Sequence, residues 1–206
     1  MMGPPALSRA HPWHGVPAGS DLPRLVNAFI EITPRDVVKY ELDKSSGLLM
    51  VDRIQQSSSS PPTLYGLIPR TYCGKRVASL SPTADRADGD PLDICVLSER
   101  RIDKADIMLA ARVIGGLRMV DQGEADDKIV AVLANDPFWA QTEDISELPD
   151  NVVARLDHYF RTYKLVDSAK PLVTIEAIYD RESAERVVVA AVDDYNERFP
   201  ATQVPD

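Results

Sequence analysis

Asp88-Gly89-Asp90-Pro91-Leu92-Asp93-Ile94-Cys95-Val96-Leu97 places three carboxylates within six positions, directly ahead of an apolar strand that begins near Leu92. Working toward the N-terminus from this stretch, more strand signals appear. Asn27–Ile32 is strand-like and is stopped by Thr33-Pro34. Val37–Leu42 alternates, with Val38, Tyr40 and Leu42 on one face and Lys39 and Glu41 on the other. The turn Lys44-Ser45-Ser46-Gly47 joins it to Leu48–Ile54, so the two read as a hairpin ending in Asp52-Arg53. The serine run from Ser57 to Pro62 is too short for a domain linker and reads as a surface loop, and Pro69–Gly89 reads as irregular.

Toward the C-terminus, strands are expected at Ile107–Ile114 and Lys128–Leu133, with a bulge or bend at Gly115-Gly116. The pattern changes after Pro149. Val152, Val153, Leu156, Tyr159, Phe160 and Tyr163 recur at helical spacing, which predicts an amphipathic helix from about Asp150 to Lys164. After Pro171 comes a short strand, Val173–Ile178. A last helix over Arg181–Arg198 aligns Val188, Val192, Tyr195 and Phe199. Short strands followed by two main helices make an α+β plan, a small barrel or curled sheet packed by helices. The 206 residues suit a single domain over 1–206, with 1–24, rich in Pro, Gly and His, as an irregular arm. There is no internal repeat.

The chain is 44% hydrophobic and 27% charged, the composition of a globular protein with a real core. Asp and Glu number 32 against 23 Lys and Arg, a net charge of −9. That balance argues against nucleic-acid and anionic-lipid partners, because phosphate backbones are bound by clustered positive charge. An acidic protein still binds an anionic substrate if its carboxylates first collect divalent cations. Met1–Trp13, with Pro4, Pro5 and Pro12, has no apolar run of the signal-sequence kind, and no stretch approaches the ~20 apolar residues of a membrane span. The expectation is a soluble, cytoplasmic protein with Cys73 and Cys95 as reduced thiols.

The densest chemistry is Asp88, Asp90 and Asp93. Two carboxylates ~4 Å apart repel by ~4 kcal/mol at an effective dielectric of ~20. A fold keeps such a cluster when protons, basic side chains or hard cations offset the repulsion, and oxygen ligands suit magnesium, manganese or calcium. Taken alone, the cluster reads equally well as a solvated turn. An EF-hand loop counted from Asp88 fails, since its glycine would fall at Asp93. A second acidic group, Asp121, Glu124, Asp126 and Asp127, also feeds an apolar strand and is closed by Lys128. Two acidic loops that enter strands from one side can converge on shared cations. Lys39, Arg53 and Tyr163-Lys164 are each explained as surface or helix-end residues, but basic groups beside an acidic metal site suit a multiply charged phosphate. No P-loop, Gly-x-Ser-x-Gly or His-Glu-x-x-His is present, and His11, His14 and His158 read as structural.

Asp88-Gly89-Asp90-Pro91-Leu92-Asp93 resembles the Asp-Gly-Asp-Pro-x-Asp signature of the family I (soluble) inorganic pyrophosphatases. Ile30-Glu31-Ile32, Lys39 to Asp43, Val51-Asp52-Arg53, Tyr65-Gly66, Asp121 through Lys128 and Tyr163-Lys164 follow in the family's order, so the resemblance runs from about Val16 to Lys164. It implies a small closed barrel, OB-like with about five strands, flanked by two main helices. It implies hydrolysis of pyrophosphate to two phosphates with several Mg²⁺ ions per site, in a homo-oligomer, with the hexamer of bacterial members as one form. Asp88, Asp93 and Asp126 would hold one ion, with Asp93 shared with a second, and Asp121 and Asp126 would hold a metal arriving with substrate. Glu31 would act on the outer metals through water, and Glu41 would shape the site. Lys39, Arg53, Tyr65, Lys128, Tyr163 and Lys164 would contact phosphates, and Asp90 would be the general base. Two positions depart from the pattern: Pro61 stands where a site-lining Tyr is expected, and Leu64 where an Asn is expected. Three other readings are a metal-dependent hydrolase of another small phosphate, a single-strand-binding barrel, disfavoured by the acidity and by only 6% aromatic residues, and an inactive member of the same family, suggested by Pro61 but disfavoured by the full set of Asp ligands.

Overall fold

A computed structural model of the chain describes residues 9–55, 58–165 and 173–200. Met1–Ser8 of the arm, Ser57 of the serine run and Pro171 lie outside the described residues. The strands are β1 (Gly19–Asp21), β2 (Leu25–Ile32), β3 (Val38–Leu42), β4 (Leu49–Ile54), β5 (Leu64–Leu67), β6 (Arg86–Ala87), β7 (Asp93–Leu97), β8 (Ile107–Asp121), β9 (Glu124–Ala125), β10 (Lys128–Leu133) and β11 (Val173–Asp180). The helices are α1 (Lys75–Ala78), α2 (Asp150–Thr162) and α3 (Arg181–Arg198), with one 3-10 turn at Ile145–Glu147. The hairpin, the two main helices and the strands around both acidic loops therefore lie where the sequence pattern puts them.

Five strands close into a barrel in the order β2-β5-β7-β10-β8, and β8 returns to pair with β2. All neighbours are antiparallel except β7 and β10. Closure removes free edges and fixes the inward and outward faces of every strand. Inward side chains from all five strands (Val26, Leu64, Ile94, Val113 and Ile129 among them) meet in one cluster, continued by Ala184, Val187, Val188 and Ala191 of α3. The opposite faces of β7, β8 and β10 carry a second cluster that is covered by Leu156, Tyr159 and Phe160 of α2. Leu156 is fully buried, so Leu156→Ala would cost about 2–5 kcal/mol. At Gly66 a Cβ would fall 1.9 Å from the Phe29 carbonyl oxygen, so only glycine lets β5 lie against β2 there.

Three expectations are amended in part. The described part of the arm is irregular apart from β1, which pairs with β2, but it is anchored: Trp13 is buried and its Nε1–H donates to the Thr71 carbonyl at 2.8 Å. His11 and His14 serve this packing, since His11 Nδ1 accepts from the Trp13 and His14 amides and the His14 ring reaches the Tyr195 hydroxyl at 2.7 Å. Secondly, the strand expected to stop at Ile114 runs to Asp121. The register skips Ile114, which is the expected bulge, and β8 then continues because β11 pairs with its second half. Thirdly, α3 buries Ala184, Val187, Val188, Ala191 and Tyr195, whereas Val192 is only half-buried. Small side chains let α3 seat closely on the barrel, which a search for large apolar residues overlooks. Cys73 and Cys95 are buried free thiols. Among the described residues no helix is long and apolar enough to cross a membrane.

Candidate active site

β7 and β10 are parallel and begin in register, with Lys128 opposite Asp93. Parallel neighbours start at the same end of a barrel, so the loops that precede them open at one mouth. This pairing brings Asp88, Asp90 and Asp93 beside Asp121, Asp126 and Lys128. Gly89 makes the tight approach with φ +77°, a conformation in which a side chain would be strained. The last residues of β2 add Glu31, β3 adds Lys39 and Glu41, β4 adds Arg53 and β5 adds Tyr65. The end of α2 adds Tyr163 and Lys164. All of these line one cavity of 220 Å³.

The floor is the most constrained part. Lys128 is 1% exposed, and its Nζ donates to both Asp93 and Asp126. Tyr65 donates its hydroxyl to the same Asp93 oxygen, Oδ2. Burial lowers the pKa of Lys128, but Asp126 and Asp93 overcome this and hold the ammonium well above its usual value. Lys164 donates to Asp121, whose other oxygen is buried without a partner. Burial pushes Asp88 up to about 8, and the charge of Asp126 adds to the shift. Burial likewise pushes Glu31 up to about 8, against the hydrogen bond it accepts from the Leu42 amide at 2.7 Å. On the hairpin, Lys39 bridges Glu41 at 2.6 Å and Asp52 at 2.9 Å, and these carboxylates hold it charged against its burial.

The cavity sets eight acidic groups against five basic ones. An anionic substrate would meet net repulsion there unless cations came with it. Among the described residues no three acidic, His or Cys side chains stand close enough to ligate one ion as placed, because lysine ammoniums lie between them. The donor set still fits a hard divalent cation. It is all oxygen, it holds a buried orphaned carboxylate oxygen on Asp121, and burial opposes the charge of Asp88 when no cation is near.

Several lining groups were not picked out from the sequence. Lys44 ion-pairs with Asp90, and Gln55 and Tyr159 also line the cavity; Asp52, which does not line it, anchors Lys39. Lys44 lies in the hairpin turn, where a surface role is the default, and only the folding of the hairpin over the mouth brings it to Asp90. Asp127, the neighbour of Asp126, points away. It is buried, and burial pushes it up to about 7, partly offset by the nearby Arg118. Of the two departures, Pro61 is buried and Leu64 sits in the barrel core, and neither lines the cavity.

A closed barrel whose mouth gathers oxygen ligands for cations, ringed by Lys, Arg and Tyr donors, defines a hydrolase of a compact, multiply charged phosphate. The inorganic pyrophosphatase family matches residues 28–196. An inorganic pyrophosphatase of Chlamydia caviae is 46% identical over 209 residues, covering 97% of each chain. The crystal structure of inorganic pyrophosphatase from Thermus thermophilus superposes with a TM-score of 0.78 at 30% identity, over 91% of this chain and 99% of that one. A type I inorganic pyrophosphatase from Toxoplasma gondii gives a TM-score of 0.82 at 28% identity, over 93% of this chain and 89% of that one. The chain belongs to the inorganic pyrophosphatase family, and its reaction is the hydrolysis of pyrophosphate to orthophosphate. The family depends on metal ions.

Proposed function

We propose that this chain, as one domain over residues 1–206, hydrolyses pyrophosphate with Mg²⁺ as its metal, in the cytoplasm, as a homo-oligomer for which the hexamer is one form. The observation that carries the site assignment is the convergence of Asp88, Asp90, Asp93, Asp121 and Asp126 with Lys39, Arg53, Lys128 and Lys164 in one cavity. Asp88, Asp93 and Asp126 would hold one ion, with Asp93 shared with a second. Asp121 and Asp126 would hold the metal that arrives with substrate. Glu31 would assist the outer ions through water, and Glu41, paired with Lys39, would shape the site. When bound, the ions lower the pKa of a coordinated water and neutralise charge on the phosphates.

The chain's own residues do the rest. Asp90 takes a proton from the attacking water, and its ion pair with Lys44 directs the carboxylate. Lys39, Arg53, Lys128 and Lys164 donate to phosphate oxygens, as does the Tyr163 hydroxyl, and the Tyr65 hydroxyl would turn from Asp93 to a phosphate oxygen when substrate is bound. Such donors act mainly on charge that grows as the bridging P–O bond breaks. Water adds to one phosphorus, the second phosphate leaves with the bridging oxygen, and two orthophosphates result.

The test is phosphate release from pyrophosphate with and without Mg²⁺, with Asp90→Asn run alongside. Release that needs Mg²⁺ and falls ~10²–10⁴-fold in the variant supports the assignment. Equal rates for the two proteins would remove Asp90 as the base. No release from folded wild-type protein at any Mg²⁺ concentration would overturn the activity.

A further inference from the structure

The wall that α2 gives to the cavity carries two polar groups without a role so far. Tyr159 lies one helical turn before Tyr163 on the same face, and the two rings stack at 5.3 Å with 24° between their planes. Tyr159 is 7% exposed and lines the cavity. Gln55, the residue after β4, lines the same wall, and its side chain stands beside the Tyr159 hydroxyl. The Arg53 guanidinium stands near this phenol and also lies over the Tyr163 ring, 6.0 Å from its centroid.

Packing alone does not account for the hydroxyl. The neighbours of Tyr159 on the buried stripe, Leu156 and Phe160, are wholly apolar, and Phe would fill the same space at position 159. A buried phenol is costly unless its O–H has a partner. Here the Gln55 side chain stands beside the phenol, and the hydroxyl on this cavity-lining ring has a proton to donate into the cavity. Arg53, Tyr163 and Lys164 stand on the same side, so the wall is a cluster of N–H and O–H donors suited to a phosphate. The loop residue Pro61, which is buried, supplies no hydroxyl to it.

We infer that Tyr159 is a substrate-binding residue, donating its hydroxyl to the phosphate held by Arg53, Tyr163 and Lys164, with Gln55 as the positioning residue that orients the phenol. This rests on reading the cavity as the pyrophosphate site. A hydrogen bond to a charged phosphate is worth about a tenfold change in affinity or more.

The experiment measures binding of imidodiphosphate, a non-hydrolysable analogue, by calorimetry in Mg²⁺, together with KM and kcat for pyrophosphate. Wild type, Tyr159→Phe and Gln55→Met are compared. Tyr159→Phe is expected to weaken imidodiphosphate binding and raise KM about tenfold, with any fall in kcat smaller than the rise in KM and the melting temperature nearly unchanged. Gln55→Met should show a smaller loss of the same kind. Equal binding by wild type and Tyr159→Phe would overturn the inference, and would leave the activity standing if phosphate release is intact. A wild type that binds the analogue more tightly than the variant, yet releases no phosphate, would keep the inference and sink the activity. A wild type that binds no imidodiphosphate would overturn the inference outright.

Discussion

Asp93, Tyr65 and Lys128 sit on neighbouring strands of a closed barrel, while Lys39, Glu41 and Arg53 sit on a two-stranded hairpin that forms its own sheet. Side chains at the start of β10 are buried, whereas Met50, Val51 and Ile54 of β4 are each more than half exposed. A lone two-stranded ribbon is marginal by itself. This one is tied down by the buried Leu42 side chain, by the Leu42 amide on Glu31, by Lys44 on Asp90 and by the His11 ring at 3.2 Å from the Lys44 carbonyl. The difference follows what each region must do. Crowded carboxylates must be held against their own repulsion, which needs a rigid floor. Groups that close on a mobile phosphate gain from an element that opens at low cost.

The sharpest way to break this comparison is at the floor. Lys128→Met leaves Asp93 and Asp126 without their shared ammonium, and removing one partner of a buried pair costs about 3–5 kcal/mol. Urea unfolding of the metal-free protein should show a loss of that size, and added Mg²⁺ should restore part of it. A loss below about 1 kcal/mol would mean that the floor is no more demanding than a surface ion pair.

Next in size is the pH dependence of the metal-free protein. The folded state raises Glu31 and Asp88 to about 8 and Asp127 to about 7, above their unfolded values. The folded state then binds more protons than the unfolded state across that window. Their contribution to stability is complete below about pH 4 and is lost as pH rises toward 8. Stability is expected to fall between pH 5 and pH 8, and the fall should shrink in Glu31→Gln and in the presence of Mg²⁺. Stability that rose with pH in the metal-free protein would contradict it.

The smallest effect belongs to the hairpin. Lys39→Ala removes partly exposed pairs with Glu41 and Asp52, so the stability change should stay within about 1 kcal/mol. KM for pyrophosphate should nevertheless rise severalfold, because a phosphate contact is lost. A large stability loss with unchanged KM would make Lys39 a structural residue and erase the contrast between the two regions.

Much of this molecule was legible from residue order. Alternation in Val38–Leu42, turn residues at 44–47 and the helical spacing after Pro149 reported the hairpin and α2, because these patterns are local. The acidic loops were legible for the same reason, since each lies within a few residues of the strand it feeds. Position 114 was misleading: Gly115-Gly116 looks like an end, yet β8 continues because β11, more than fifty residues later, pairs with it. Trp13 looked like part of a loose arm, and its burial against Phe29, Leu42, Leu67 and Tyr195 is a long-range contact without local trace.

By itself the sequence determined which groups do the chemistry, because carboxylates, lysines and tyrosines carry their reactivity wherever they are placed. It also determined the strands and helices that carry them, through periodicity. Only the tertiary structure decided who faces whom. The parallel register of β7 and β10 joined two acidic loops and turned Asp126 into the cavity and Asp127 away from it. The hairpin's fold over the mouth brought Lys44 to Asp90, and the seating of α2 put Tyr159 against Gln55. Those outcomes depend on barrel closure and strand order, which couple residues far apart in the chain and leave no mark in the spacing of either partner.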